Sequence, residues 1–129
     1  MKYLGIDYGS KRVGLSISDE SESFAMPLCV ISNTKELVEE ISRICVEQSI
    51  GTIVVGESKD YAGRQNEIMR EITPFVSSLV DKLDIPIHMH PEFLTSLEAK
   101  QLQGDNEMND ASAAALILKS YLDVKSSKL

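Results

Sequence analysis

Tryptophan is absent from this sequence, and aromatic residues make up only 5% of its 129 positions, four tyrosines and three phenylalanines. Stacking on aromatic side chains is therefore not its dominant means of recognition. Cysteine is almost as scarce. Cys29 and Cys45 form no C-x-x-C pair and sit in apolar patterns, which argues for reduced core thiols in a cytoplasmic protein. No window approaches the ~18 consecutive apolar residues of a membrane span. The opening MKYLGIDYGS turns polar within seven positions, unlike a secretory signal. Positive charge is also in short supply. Thirteen basic residues face 20 acidic ones for a net charge of −7, the wrong sign for coating a polyphosphate by bulk attraction.

What is present is an ordinary globular mixture, 43% apolar with 7 glycines, of a size that suits one domain. The acidity is also uneven. Residues 19–47 hold Asp19, Glu20, Glu22, Glu36, Glu39, Glu40 and Glu47 against Lys35 and Arg43, a net of −5, which leaves −2 for the other 100 residues. A nucleic-acid partner is therefore compatible with the charge, provided that it binds one local face with the first helix turned away.

Residues 2–7 read as a strand. A glycine-bearing turn, Tyr8 to Arg12, leads to a second strand, Val13 to Ser18, and closeness in sequence predicts antiparallel pairing. A third short strand follows at Leu28–Ile31. Asn33 and Glu36 resemble a capping box ahead of an apolar stripe of Leu37, Val38, Ile41, Ile44 and Cys45. Its outer face offers Glu39–Arg43 and Arg43–Glu47 as i,i+4 pairs. Gly51–Gly56 is a β-branched run of the kind found in buried parallel strands. A helix is expected over about 64–82, kinked or split at Pro74, then a strand at Ile85–His90. A further helix should start at the capping box Thr95–Glu98 and stop near Gly104. The last spans about Asp110–Leu122, with its alanine-rich start buried. The order β-β-β-α-β-α-β-α-α implies an α/β fold. Its mixed five-stranded sheet has strands 1–3 antiparallel, strands 4 and 5 parallel to strand 1, and helices on both faces.

Three acids stand where a merely structural role is strained. Asp7 ends an apparently buried strand, where aspartate is costly unless paired. Glu92 lies just past the fifth strand, and Asp110 opens an apolar helix. In such a sheet the strand ends after Asp7, Val55 and His90 share one edge, where ligand crevices form. A cluster of carboxylates there suits Mg²⁺ or Mn²⁺, which prefer oxygen ligands, and two such ions can activate water against a phosphodiester. Each acid has a plainer alternative: a helix N-cap for Asp110, a loop acid for Glu92, a partner of the Gly9–Ser10 turn for Asp7. Lys11 and Arg12 leave the first turn close to Asp7 and are candidates for a phosphate contact. Lys59, Arg64 and Arg70 surround the next loop and helix, where they would either track a nucleic-acid backbone or belong to a mixed surface. Glu57 is a further strand-end carboxylate. His88 and His90 share one strand face, a metal-binding spacing that ordinary strand placement explains as well.

The run Leu4-Gly5-Ile6-Asp7-Tyr8-Gly9-Ser10-Lys11-Arg12-Val13-Gly14 closely resembles the opening motif of the YqgF/RuvX family of small RNase H-like nucleases. The likeness continues through Ile53–Gly56, Glu92-x-Leu94-Thr95, and Asp110 with its alanines ahead of Tyr121-Leu122-Asp123. It departs at Pro91 and Phe93, where the family usually has Asp and Arg, and at Asn109, where it often has a second aspartate. Members are described as Holliday-junction resolvases or as nucleases maturing the 5′ end of pre-16S rRNA. The resemblance implies an RNase H-like three-layer domain over residues 1–124 with a short basic tail at 125–129. It also implies that Asp7, Glu92 and Asp110 bind two Mg²⁺ or Mn²⁺ ions, and that the substrate is structured nucleic acid, pre-rRNA or branched DNA. A homodimer would suit a four-way junction and a monomer rRNA trimming. Two other functions share these residues. Asp-x-Gly-Ser also resembles the phosphate loop of the sugar-kinase and actin superfamily, and the altered positions suit a non-catalytic scaffold on the same fold.

Overall fold

The computed structural model describes residues 1–58, 68–92 and 108–127. Strands β1 (Lys2–Tyr8), β2 (Arg12–Ser18) and β3 (Ala25–Ser32) are followed by helix α1 (Leu37–Glu47) and strand β4 (Ile50–Ser58). Helix α2 (Met69–Lys82), strand β5 (Ile87–Glu92) and helix α3 (Met108–Ser127) complete the described chain. The sheet runs β3-β2-β1-β4-β5. Strands β1–β3 are antiparallel neighbours, and β4 and β5 run parallel to β1. This is the mixed sheet that the sequence predicts. The helix expected between Thr95 and Gly104, like Lys59 and Arg64, lies outside the described residues.

Alternation along the strands decides which helix covers which face. Leu4, Ile6, Ile53 and Val55 point to one side and build the larger core with Ile41 of α1 and Ile72, Phe75 and Leu79 of α2. Tyr3 and Val54 point to the other, against Ile117, Leu118 and Leu122 of α3. Cys45 is buried and Cys29 half-buried, and both are free thiols. Burial pushes the Cys45 thiol up to about 11. Among the described residues no helix is long and apolar enough to cross a membrane.

Several local expectations are corrected. Asn33 does not cap α1. Its side-chain amide donates to the Gly9 carbonyl oxygen at 2.8 Å, and α1 begins at Leu37 without a side-chain cap. Glu39 pairs at 3.0 Å with Lys82 of α2 rather than with Arg43, so the charge that should have stitched one helix ties two together. Helix α2 is one helix with Pro74 inside it, so it is not split there. Strand β5 extends to Glu92 and α3 begins at Met108, so Glu92 is a strand residue and Asp110 the third residue of a helix, not its N-cap. Helix α3 continues to Ser127. Lys125, expected in a tail, is helical and donates to Glu22 at 2.6 Å.

That contact closes the end of the sheet opposite the candidate site. Asp19 holds the β2–β3 loop by accepting hydrogen bonds from Ser23 N at 2.8 Å, Phe24 N at 2.9 Å and the Ser21 hydroxyl. The Ser21 hydroxyl is the largest cause of the lowered Asp19 pKa, and the Lys125 hydrogen bond is the largest cause for Glu22. A carboxyl depressed in the folded state contributes stability above its unfolded pKa and loses it as pH falls through the folded value. Thermal unfolding from neutral pH down to about pH 3 should therefore show the wild type above an Asp19→Asn/Glu22→Gln variant at neutrality. The gap should close in the most acid samples; a constant gap would refute the linkage.

Candidate functional site

The parallel strands β1, β4 and β5 deliver their C-terminal ends to one edge of the sheet. Gly5 is level with Val54 and Ile6 with Val55, while Val55 is level with Met89 and Gly56 with His90. Asp7, Gly56 and His90 therefore form one row across three strands, on the face covered by α3. Gly56 contributes no side chain to the middle of that row. Glu92 is two residues beyond His90, at a register position on the same face. Glu57 falls on the opposite face, level with Pro91, and does not join the row.

The path of α3 is set by a close approach. Gly5 lies so near the helix that a Cβ there would overlap Ser16 Oγ and come within 2.9 Å of both the Ala114 carbonyl oxygen and Leu118 Cβ. The buried Ser16 hydroxyl donates to that same Ala114 oxygen at 2.8 Å. Ala111, Ala113 and Ala114 are buried, and their small side chains let the helix settle onto the sheet. Farther along, Tyr121 packs against Tyr3 with ring centroids 5.8 Å apart, so α3 runs antiparallel to β1. From Ala114 back to Asp110 is four residues, about 6 Å of helix. From Gly5 on to Asp7 is two residues, about 6.6 Å of strand. The first turn of α3, with Asp110 in it, thus comes level with Asp7, and its N-terminal dipole favours negative charge there.

The two histidines are absorbed by packing. His88 stacks on Tyr121 with centroids 5.7 Å apart, and His90 meets the same ring edge-on at 5.9 Å. His90 Nε2 lies 2.8 Å from Ser120 Oγ, and burial lowers its pKa. Among the described residues no group of three or more His, Cys, Asp or Glu side chains could hold a metal ion; the side chains of Glu92 and Asp110 are outside that set.

Lys11 is exposed on the β1–β2 turn, and Arg12 opens β2. The turn is tightly braced. A Cβ on Gly9 would come 2.5 Å from the Arg12 carbonyl oxygen, and Asn33 N donates to the Lys11 carbonyl oxygen at 2.9 Å. Sequence reasoning missed a second brace. Glu71 of α2 accepts from the Ser10 hydroxyl at 2.9 Å and the Tyr8 hydroxyl at 3.4 Å. The polar triplet Tyr8, Ser10 and Glu71 carries no periodic signal that would have linked residues 61 positions or more apart.

The three-layer arrangement, a mixed five-stranded sheet with helices on both faces, is that of the RNase H-like class. T. thermophilus RuvC in complex with its Holliday junction substrate shares this fold at a TM-score of 0.64 and 17% identity, over 98% of this chain and 96% of that one. The fowlpox virus resolvase, also solved with Holliday junction DNA, shares it at 0.60 and 11%, over 97% and 99%. Sequence narrows the class. The family model described as "RuvX: Holliday junction resolvase" matches residues 1–124. A "Putative pre-16S rRNA nuclease" of Maridesulfovibrio salexigens is 34% identical over 131 residues, 100% of this chain and 93% of that one. A protein of the same description from Thermoanaerobacter pseudethanolicus is 34% identical over 139 residues, 99% of this chain and 100% of that one. The chain belongs to the RuvX family of pre-16S rRNA nucleases and Holliday junction resolvases.

Proposed function

We propose that this chain is a metal-dependent endonuclease that hydrolyses phosphodiester bonds in structured nucleic acid, with the 5′ end of pre-16S rRNA or a Holliday junction as its substrate. The observation that carries this reading is the contact of Gly5 with α3 at Ala114, because it sets the turn holding Asp110 against the strand end holding Asp7. Glu92 completes the set from the end of β5. The residues that would hold the metal are all carboxylic acids, carried by β1, β5 and α3, a set whose chemistry fits Mg²⁺ or Mn²⁺. Bound there, such ions, two in our reading, supply an activated water and charge stabilisation at the leaving oxygen.

The chain's own residues do the rest. Lys11 and Arg12 hold a phosphate beside the cut, with Lys59 and Arg64 as further backbone contacts, and the bracing by Asn33 and Glu71 keeps the turn from yielding under that load. Recognition is by shape, since base-edge contacts are not needed to hold a backbone. We read residues 1–124 as one catalytic domain working in the cytoplasm.

Incubating the full chain with a synthetic four-way junction and with a 5′-extended 16S rRNA fragment tests the proposal. Cleavage of one of them in Mg²⁺ or Mn²⁺, lost in excess EDTA, is the expected result. Binding of either without cleavage under any divalent ion would overturn it in favour of a non-catalytic scaffold.

A further inference from the structure

Tyr8 follows Asp7 directly, so successive strand residues send their side chains to opposite faces of the sheet. Tyr8 opens onto the α1/α2 side, into a groove of about 400 Å³ between the β1–β2 turn, the start of α1 and the start of α2. Three properties of this groove are not used by the chemistry at Asp7. First, its floor is aromatic. The ring of Tyr8 is half-buried and packs on Phe75 with centroids 4.9 Å apart, and Phe75 is only 7% exposed. Second, its rim is cationic. Lys35 and Arg70 line it, both are exposed, and neither takes part in the ion pairs found among the described residues. Third, the acid in the groove, Glu71, is already engaged by Ser10 and Tyr8, which fixes the tyrosine ring.

An aromatic face flanked by unpaired cations suits single-stranded nucleic acid, whose bases stack and whose phosphates pair with the cations. We propose that this groove is a second nucleic-acid contact, taking an unpaired base on Tyr8 with its neighbouring phosphates on Lys35 and Arg70. The inference rests on the nuclease reading and deepens it by naming the substrate class: a structured nucleic acid carrying an unpaired strand next to the cut. A strand held at Asp7 on the α3 face reaches the groove by passing over the edge of the sheet at the Gly9–Lys11 turn. One aromatic platform is enough for this role, even in a chain poor in aromatics, and because the groove takes in the start of α1 it replaces the expectation that the first helix is turned away from the nucleic acid.

The test separates the two readings by measuring binding without cleavage. Fluorescein-labelled oligo(dT) and oligo(U), with a blunt duplex as control, are titrated in EDTA with wild type and with Lys35→Glu/Arg70→Glu. The expected result is a loss of about tenfold or more for the single strands and a smaller loss for the duplex. The plot of log affinity against log salt should flatten by about 1.4 for the single strands, at ~0.7 per lost phosphate contact. Tyr8→Leu, which keeps apolar packing on Phe75 and leaves the stronger Ser10–Glu71 brace of the turn in place, should weaken the single strands more than the duplex. Wild-type affinity and slope in the charge-reversed variant would overturn the groove while leaving cleavage at Asp7 standing. Equal losses on single strand and duplex would overturn it as well, by showing only general attraction. Groove-dependent binding by a chain that never cleaves would instead overturn the nuclease reading.

Discussion

Asp7→Asn is expected to lower metal-dependent cleavage about a thousandfold while leaving the fold and nucleic-acid binding intact. Asparagine matches aspartate in size, and the backbone of residue 7 is held by its antiparallel partner Gly14, so the strand end should not move. What is lost is a negative charge and a ligand oxygen. Stabilisation of transition-state charge by a metal is worth several kcal/mol; at ~1.36 kcal/mol per tenfold, a loss of about 4 kcal/mol gives the factor stated. Single-turnover cleavage under saturating enzyme measures it directly. A second readout tests whether Asp7 works through the metal. Ligands that bind only the folded state raise its stability, so Mg²⁺ or Mn²⁺ should raise the melting temperature of the wild type and not of Asp7→Asn. The melting temperature of each protein without metal is the baseline from which that rise is read. Cleavage that survives the substitution would remove Asp7 from the reaction.

How much of this was legible in the sequence depends on the range of the interaction concerned. The mixed five-stranded sheet with helices on both faces followed from periodicity and from the β-branched run at Ile53–Val55, because alternation and amphipathic stripes are local properties of the chain; which helix covers which face did not. Boundaries failed where a tertiary contact took over. Asn33 reads as a cap because its side chain suits one, yet the Gly9 carbonyl oxygen 24 residues away claims it. Lys125 looked like a tail because nothing near it in sequence explains a helix, but Glu22 holds it from 103 residues away. The candidate site rested on a different kind of signal. An aspartate ending an apolar strand is a local contradiction, and such contradictions gather at functional sites. Tyr8, Lys35 and Arg70 contradict nothing locally, so the groove they share was invisible until the turn, α1 and α2 were brought together.

Gly5 is the position where fold and site depend on one absent atom. In the sequence it is a glycine inside a strand, which on its own costs stability. The structure shows why nothing larger fits: any Cβ would strike Ser16 Oγ and lie 2.9 Å from the Ala114 oxygen and Leu118 Cβ. Two of these neighbours belong to α3, one of them backbone, so the helix itself would have to retreat. Overpacking of this kind costs about 1–3 kcal/mol. Stretching the buried Ser16–Ala114 hydrogen bond adds roughly 0.5–1.5 kcal/mol. For Gly5→Ala the sum, about 2–4 kcal/mol, corresponds to a fall of about 10 °C in melting temperature for a domain of this size. Gly5→Val should do worse. The larger effect is on cleavage, because the helix that retreats is the one carrying Asp110, and sub-ångström misplacement of a reacting group is costly. Cleavage by Gly5→Ala, measured well below its melting temperature, should therefore drop by about a hundredfold, more than its unfolded fraction explains. Adding Ser16→Gly removes one of the clashes and should restore part of both properties. An alanine variant that melts and cleaves like the wild type would mean that α3 is not seated on Gly5, and the alignment of Asp110 with Asp7 would fall with it.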